Sequence, residues 1–239
     1  MRINKYLAST GLSSRRKIDQ MIIDGQVLVN GKIAELGMQV DPKKDEISIG
    51  KNFDKLDKVQ KNEYWKIYKP VGMVSTTDDP EGRPTVLSLM EGTSSKTRLY
   101  PVGRLDIESE GLMILTNDGD LTQKLTHPKH HTSKEYLVWA NGSLSDRDLM
   151  KLQRGVKLSD GMTASAKVEI IFREPNRVKL SIVIHEGRHR QIRRMAAKVG
   201  LMVTRLKRVK IGSIEIEDMY EGEVRRLTLL ELEKLQNTF

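Results

Sequence analysis

The chain has 239 residues, of which 38% are hydrophobic, and this length and composition suit a soluble globular protein of one or two domains. It has no cysteine, which excludes disulfides and thiolate metal sites and agrees with a reducing cytoplasm, the location that we expect. The formal net charge of +9 suggests a polyanionic partner. No signal peptide is visible and no apolar run could span a membrane, so we expect no membrane contact.

The first fifty residues have the pattern of two short helices followed by a hairpin. Apolar residues at helical spacing predict one helix within the first ten residues and a second that is capped by Ser13 or Ser14 and ends before Gly25. Asn30-Gly31, between two short apolar runs, is the strongest short hairpin signal. We therefore predict a small module of two helices and a hairpin.

Basic residues in this module lie where a helix disfavours them. Arg15, Arg16 and Lys17 fall in the first turn of the second helix, where the helix dipole opposes cations. These residues form either a solvated face or an edge that contacts RNA phosphates. Their unfavourable position relative to the helix dipole favours the phosphate contact. Arg2 and Lys5 are further candidates for RNA contact. The segment resembles the S4 domain, a small RNA-binding domain named after a ribosomal protein.

A polar stretch without clear periodicity, residues 50–62, separates this module from the rest of the chain. We predict an RNA-binding domain at 1–50, a linker at 51–62 and a second domain at 63–239. The second domain opens with an alternating strand from Tyr64 to Lys69, which Pro70 ends. Three acidic residues, at 78, 79 and 81, do not have the spacing of a calcium loop and predict a polar turn.

The central stretch runs from Leu99 to Leu121. Arg104 and Asp106 lie on one face of an extended segment, and an apolar run of strand length follows at 112–115. A charged loop is thus attached to a buried strand. From the pattern alone, Asp106 is either a turn residue that binds nearby backbone amides or a positioned carboxylate.

Alternating segments continue after this stretch. We predict helices at 120–126 and 145–154, and strands at 134–139, 156–158, 168–172 and 178–184. Tyr136 has the position of a half-buried aromatic residue in a sheet. The histidines at 127, 130 and 131 lack acidic partners at ligand spacing, so we interpret them as a solvated loop and predict no metal site.

A basic segment follows, with nine basic and no acidic residues between Gly187 and Lys210. Ile192, Met195, Ala196 and Val199 have the spacing of a buried helix face. By helical angle, Arg193 lies at the edge of that face, and Arg190, Arg194 and Lys198 lie roughly opposite to it, on the outer helix face. The candidates for RNA contact here are Arg188, Arg190, Arg194, Lys198, Arg205, Lys207 and Arg208, together with Lys69. A basic strand at 203–211, a last strand near 225–228 and a helix at 229–235 complete the chain.

Two motifs carry a resemblance to a known family. GRLDIESEGLMILTNDG at 103–119 and HEGRHRQIRRM at 185–195 resemble the motifs of bacterial ribosomal-RNA pseudouridine synthases. The resemblance implies that Asp106 is the catalytic carboxylate, that Arg193 pairs with it and that Tyr136 packs against the target uracil. Arg104, two residues from Asp106, is placed to support the flipped strand. The departures are Met113 and Ile114 in place of leucines, and His189 in place of the common asparagine.

The implied reaction moves the glycosidic bond of a uridine from nitrogen to carbon, so it is redox-neutral and requires no cofactor or metal. Asp106 would act as a nucleophile or as a base. We expect an α+β fold, with a mixed, mainly antiparallel sheet in the catalytic domain, and a monomer.

The expected partner is ribosomal RNA, free or in a ribosomal assembly intermediate. Segments at 82–86 and 154–161 look more like the enzymes that modify large-subunit RNA. The alternatives are small-subunit RNA, or a non-catalytic RNA-binding or ribosome-assembly protein.

Overall fold

The computed structural model describes residues 1–49, 54–55 and 59–237, so part of the linker predicted at 51–62 lies outside the described residues. The chain divides into two compact units, Met1–Glu63 with Lys96–Arg98, and Tyr64–Ser95 with Leu99–Phe239. Within the described ranges, no helix is both long enough and apolar enough to cross a membrane.

The first unit contains two helices and an antiparallel sheet. The helices are α1 (Ile3–Ser9) and α2 (Arg15–Ile23), and the strands are β1 (Val27–Val29), β2 (Lys32–Ile33), β3 (Ile47–Ile49) and β4 (Asp54–Lys55), in the sheet order β2-β1-β3-β4. The side chain of Ser14 accepts a hydrogen bond from the N–H of Lys17, at 3.2 Å, which confirms it as the cap of α2. Asn30 and Gly31 both have positive φ, as the predicted hairpin turn requires.

The second unit alternates strands and helices along the chain. Its elements are β5 (Tyr64–Lys69), β6 (Tyr100–Pro101), β7 (Glu110–Thr116), α3 (Gly119–Thr126), β8 (Lys134–Asn141), α4 (Asp146–Arg154), β9 (Lys157–Leu158), β10 (Gly161–Met162), β11 (Lys167–Glu174), β12 (Arg177–Ile184), α5 (Gln191–Ala197), β13 (Met202–Ile211), β14 (Ile214–Glu215), β15 (Val224–Arg226) and α6 (Leu229–Gln236). Short 3₁₀ helices occur at Ser88–Met90 and Pro128–His130.

One large sheet organises the second unit. Its strands follow the order β11-β12-β8-β13-β7-β5-β15, with β14 paired to β13 and β6 to β7. The pairing of β13 with β7 is parallel, and the other pairings are antiparallel. The predicted α+β fold with a mixed, mainly antiparallel sheet is confirmed.

The central strand β7 is buried along its whole length. Met113 and Leu115 point into one apolar cluster, whereas Leu112 and Ile114 point into a second cluster on the other face. Helices α4 and α5 contribute to the first cluster, and α3 and α6 to the second. Because both faces of β7 are packed, the loop that precedes it starts from a rigid base.

A glycine allows β7 and β13 to approach closely. Gly111 has a φ of +112°, and a Cβ atom added to it would lie 2.2 Å from the carbonyl oxygen of Arg208 on β13. No side chain fits there, so a glycine is required where the loop 102–109 enters the sheet.

Helix α5 is shorter than the motif predicted. Ile192, Met195 and Ala196 are buried, as expected from their spacing. Arg190, however, lies just before the helix, with a φ of +49°. Its predicted position on the outer helix face is therefore wrong, because the helical angle does not apply to a residue outside the helix.

Candidate active site

A cleft of about 790 Å³ opens in the second unit. Its walls are formed by the loop 102–109, the first residues of β8, the second half of β13 and the segment 184–192. Of the four residues predicted to be catalytic, Asp106, Arg104 and Tyr136 line the cleft, and Arg193 does not. Asp106 is half-buried and Arg104 is exposed.

The backbone on both sides of Asp106 is fixed by hydrogen bonds. The hydroxyl of Ser75 accepts from the N–H of Leu105 at 3.0 Å and donates to the carbonyl of Leu105 at 2.8 Å. The N–H of Ser109 donates to the carbonyl of Asp106 at 3.0 Å. The Asp106 carboxylate has no hydrogen bond or ion pair with any described residue. The turn therefore uses the backbone of Asp106 and leaves its carboxylate available to a bound molecule.

Tyr136 and a neighbour from the same strand form one wall of the cleft. Tyr136 is 7% exposed and belongs to the apolar cluster on this side of the sheet. Lys134 lies two residues earlier, so it points to the same face, and its Nζ donates to the carbonyl of Thr132 at 3.2 Å. Burial, with a smaller effect from Arg208, lowers the pKa of Lys134 to about 8. Sequence reasoning missed Lys134, although strand alternation from Tyr136 could have found it.

Two basic residues predicted to contact RNA at the surface are buried. Arg208 is 2% exposed; its Nε donates to the carbonyl of Leu112 at 2.8 Å, and its side chain lies in the cleft wall. Lys69 is fully buried, and its Nζ donates to the carbonyls of Pro70 and Ser109 at 2.9 and 2.6 Å. Burial and the charge of Arg208 lower the pKa of Lys69 to about 8. Both side chains hold the loop and β7 from inside, so the prediction of surface contacts is wrong for them.

Arg193 is bound to Glu108, and its predicted pairing with Asp106 is not observed. Its Nη2 donates to the backbone carbonyl of Glu108 at 3.0 Å, and its Nη1 donates to that of Val203 at 3.2 Å. Its Nε lies 3.7 Å from the Glu108 carboxylate. The turn after Asp106 brings Glu108 against α5, so Arg193 meets the carboxylate that is two residues further along. Arg193 thereby connects the loop to β13.

The other basic residues of the second motif are engaged in ion pairs. Arg190 lies 2.7 Å from Glu108, and Arg194 makes two contacts with Asp160 at 3.0 and 2.9 Å. Arg188 lies 3.0 Å from Glu186. These three were predicted to contact RNA, and ion pairs within the protein partly neutralise their charges.

The remaining candidates for RNA contact lie at the surface. Lys198 is exposed, and so are Arg2, Lys5, Arg15, Arg16 and Lys17 in the first unit. Arg205 and Lys207 on β13 point to the face of the sheet opposite to that of Arg208, because side chains alternate along a strand.

Members of both groups that could have suggested a metal, the acidic residues near 79 and the histidines near 127, have partners within the protein. Asp79 accepts two hydrogen bonds from the guanidinium of Arg83, at 3.0 and 2.7 Å, and Glu81 lies 2.8 Å from the same side chain, so the predicted polar turn is confirmed. Nδ1 of His127 accepts from the N–H of Lys129 at 3.2 Å.

Comparison with known proteins identifies the family to which this chain is similar. A family model described as RNA pseudouridylate synthase matches residues 63–198, and a model described as S4 domain matches residues 1–47. The chain is 37% identical to a Bacillus subtilis protein named ribosomal large subunit pseudouridine synthase B, over 98% of this chain and 95% of that protein. It is 35% identical to an Aquifex aeolicus protein named as an RNA pseudouridine synthase, over 98% of this chain and 93% of the other.

A solved structure agrees with this result. The crystal structure of a pseudouridylate synthase matches with a TM-score of 0.71 and 32% identity, and the match covers 98% of this chain and 99% of that one. The similarity therefore includes both units and extends through the motifs that border the cleft. The chain belongs to the RNA pseudouridylate synthase family, carries an S4 domain, and is an enzyme that isomerises uridine to pseudouridine in RNA.

Proposed function

We propose that this enzyme modifies uridine in large-subunit ribosomal RNA and that Asp106 is its catalytic carboxylate. The assignment of Asp106 rests on one observation. Its carboxylate lies in the cleft, on a backbone fixed by hydrogen bonds, and makes no hydrogen bond or ion pair with a described residue. The first part is supported by the similarity to a relative named for the large ribosomal subunit. Small-subunit RNA is the alternative that the experiment below tests.

The reaction breaks the bond between N1 of uracil and C1′ of the ribose and forms a bond from C5 to the same carbon. The C5 proton is then lost and N1 gains a proton, so atoms and electrons balance without an external reagent. Asp106 acts either as a nucleophile or as a base. The target uridine leaves its stack to enter the cleft, at a cost of a few kcal/mol.

Two further residues of the cleft fit this substrate. The ring of Tyr136 offers an apolar surface to a uracil that has entered, as aromatic side chains do in pockets for flipped bases. The exposed guanidinium of Arg104 lies two residues from Asp106, where it can contact a phosphate of the flipped strand. We propose both residues for positioning the target nucleotide.

We propose that the S4 domain, assigned to residues 1–50 and joined to the catalytic domain by a linker at 51–62, contributes affinity for RNA. Exposed Arg15 and Arg16 begin α2, and Nη2 of Arg15 lies 3.1 Å from the side-chain oxygen of Asn4. The enzyme is proposed to act as a monomer in the cytoplasm, where its ribosomal substrate is assembled.

Replacing Arg15 and Arg16 by alanine is expected to weaken RNA binding without changing the chemical step. Each lost phosphate contact should lower the slope of log affinity against log salt by about 0.7 to 0.9. Filter binding at several salt concentrations measures this slope, and single-turnover kinetics at saturating enzyme measures the rate. An unchanged slope would mean that these two residues do not contact RNA phosphates.

Arg193→Ala is expected to slow single-turnover pseudouridine formation about tenfold to a hundredfold, a barrier increase of about 1.4 to 2.7 kcal/mol. The loop that carries Asp106 would lose its hydrogen bond to α5, and Arg193→Lys should restore the rate only in part because an ammonium lacks the forked geometry. If Arg193→Ala only weakens binding and leaves the rate at saturating enzyme intact, Arg193 is a phosphate contact and not a positioning residue.

Mapping pseudouridines in the ribosomal RNA of a deletion strain tests the proposed substrate. We expect the loss of modification in the large-subunit RNA, with recovery by the parental gene and no recovery by Asp106→Asn. Loss in small-subunit RNA alone would assign the enzyme to that subunit, and unchanged modification in both RNAs would contradict the proposal.

A further inference from the structure

The large sheet has a half-face that lies opposite to the cleft wall. Lys179 on β12, Trp139 on β8 and Arg205 on β13 are lateral neighbours in the strand register, and Lys207 follows two residues later on β13. None of these four residues belongs to the apolar clusters of the sheet. We call these four residues the open half-face.

The open half-face combines an aromatic ring with cations. Nζ of Lys179 lies 4.7 Å from the centroid of the Trp139 ring, and Cζ of Arg205 lies 4.8 Å from it. Nζ of Lys207 lies 4.5 Å from the ring of Tyr68. Beside Trp139 is a hollow of about 390 Å³, which Phe172 and Arg177 also line, and Phe172 is 46% exposed.

The cations of this half-face differ in how firmly they are held. Arg205 forms an ion pair with the buried carboxylate of Glu110, which also accepts a hydrogen bond from the hydroxyl of Tyr68 at 2.8 Å. Within the part of the chain that the structure describes, no carboxylate lies at ion-pair distance from Lys179 or Lys207. Lys179 is therefore the cation that can leave the indole ring without breaking an ion pair.

Two acidic side chains on the strands around Lys179 have partners of their own. The hydroxyl of Ser181 donates to Glu135 at 2.9 Å, and Lys167 lies 2.9 Å from Glu169. Burial lowers the pKa of Lys207, the positive charges of Arg205 and Lys179 act in the same direction, and the negative charges of Glu110 and Glu221 oppose them.

We propose that the open half-face binds a single-stranded segment of the substrate RNA, with a base stacked on Trp139 and phosphates bound by Lys179 and Lys207. The base takes the place of Lys179 over the indole ring, while Arg205 stays bound to Glu110. Aromatic rings flanked by cations are how proteins hold single strands without reading their sequence, whereas a flat sheet offers little to a duplex. The inference deepens the proposed function, since it assumes that RNA is the substrate, and it adds a second contact region outside the cleft.

The fluorescence of Trp139 reports on this contact directly. The chain has two tryptophans, so Trp65→Phe leaves Trp139 as the sole indole. The full-length variant is titrated with a single-stranded oligouridylate and, separately, with an RNA duplex of the same length. We expect saturable quenching by the single strand and much weaker quenching by the duplex. No quenching by the single strand, or equal quenching by both RNAs, would overturn the proposal.

The salt dependence of binding gives a second readout, in the parental background, that does not depend on Trp65→Phe folding. Replacing both Lys179 and Lys207 by alanine should lower the slope of log affinity against log salt by about 1.4, at about 0.7 for each contact with a single strand. Arg147→Ala, an exposed arginine on α4, is the control and should leave the slope unchanged. An equal slope in the double variant and the parent would refute the assignment.

Pseudouridine formation in ribosomal RNA is assayed in parallel with the same protein. Quenching without any modification would contradict the proposed function and leave the half-face assignment standing. Modification without quenching would overturn the half-face assignment alone.

Discussion

Asp106→Asn is expected to reduce single-turnover pseudouridine formation at least about 1,000-fold, which corresponds to about 4 kcal/mol in the barrier. The amide keeps the size of the side chain but can neither attack the substrate nor accept a proton as a carboxylate does. Folding and RNA affinity should change little, because the carboxylate makes no hydrogen bond or ion pair with a described residue, while the backbone of the loop is held by Ser75 and Ser109.

The matched control for this change is Glu108→Gln, a carboxylate two residues along the same loop. Glu108 binds Arg190 and lies against Arg193, and these contacts lower the pKa of its carboxyl, but it does not line the cleft. We expect the single-turnover rate of the Glu108→Gln variant to fall by less than tenfold. If Asp106→Asn retains activity within tenfold of the parent, the assignment of Asp106 is wrong.

Gly111→Ala is expected to destabilise the second unit by roughly 3 to 5 kcal/mol, near the upper end of single-substitution effects. The added Cβ would meet backbone atoms of Arg208, at 2.2 Å from its oxygen and 2.7 Å from its nitrogen. Those atoms belong to the neighbouring strand β13, so the two strands must separate, and Arg208 and the loop with Asp106 must shift. Urea unfolding measures the loss of stability.

Gly82→Ala is the control for this variant, because it introduces the strain of a positive φ without a steric clash. Gly82 has a φ of +70°, and nothing lies within 4 Å of a Cβ added to it. Its replacement should cost only about 1 to 2 kcal/mol, the backbone penalty alone. Equal losses in the two variants would mean that the approach of β7 and β13 is not what requires Gly111.

The sequence predicts the elements of this fold where one physical signal dominates. The run from Leu112 to Leu115 has no charge, and it forms the fully buried strand β7. Asn30-Gly31 forms the expected hairpin turn, and the spacing of Ile192 and Met195 places the buried face of α5. In each case local chemistry and burial favour the same structure.

The partners of charged residues are less predictable, because they depend on where a chain turns. Helical angle places Arg193 at the edge of a buried face, but it does not show whether Asp106 or Glu108 is its partner on the loop. Lys69 and Arg208 belong to basic segments that resemble a surface, yet tertiary packing buries both and gives them carbonyl partners. Alternation along β13 separates Arg208 from Arg205 and Lys207, and this division between two faces becomes visible only once the strand is aligned with its neighbours.

Release of tritium from RNA labelled at C5 of uridine shows whether Asp106 drives pseudouridine formation in large-subunit RNA, since C5 loses its hydrogen only when it becomes bonded to the ribose. Full-length enzyme in excess is mixed with labelled large-subunit or small-subunit ribosomal RNA transcripts, and tritium in water is counted over time. We expect release from large-subunit RNA, none from small-subunit RNA, and none with Asp106→Asn. No release from large-subunit RNA, or undiminished release with Asp106→Asn, would contradict it.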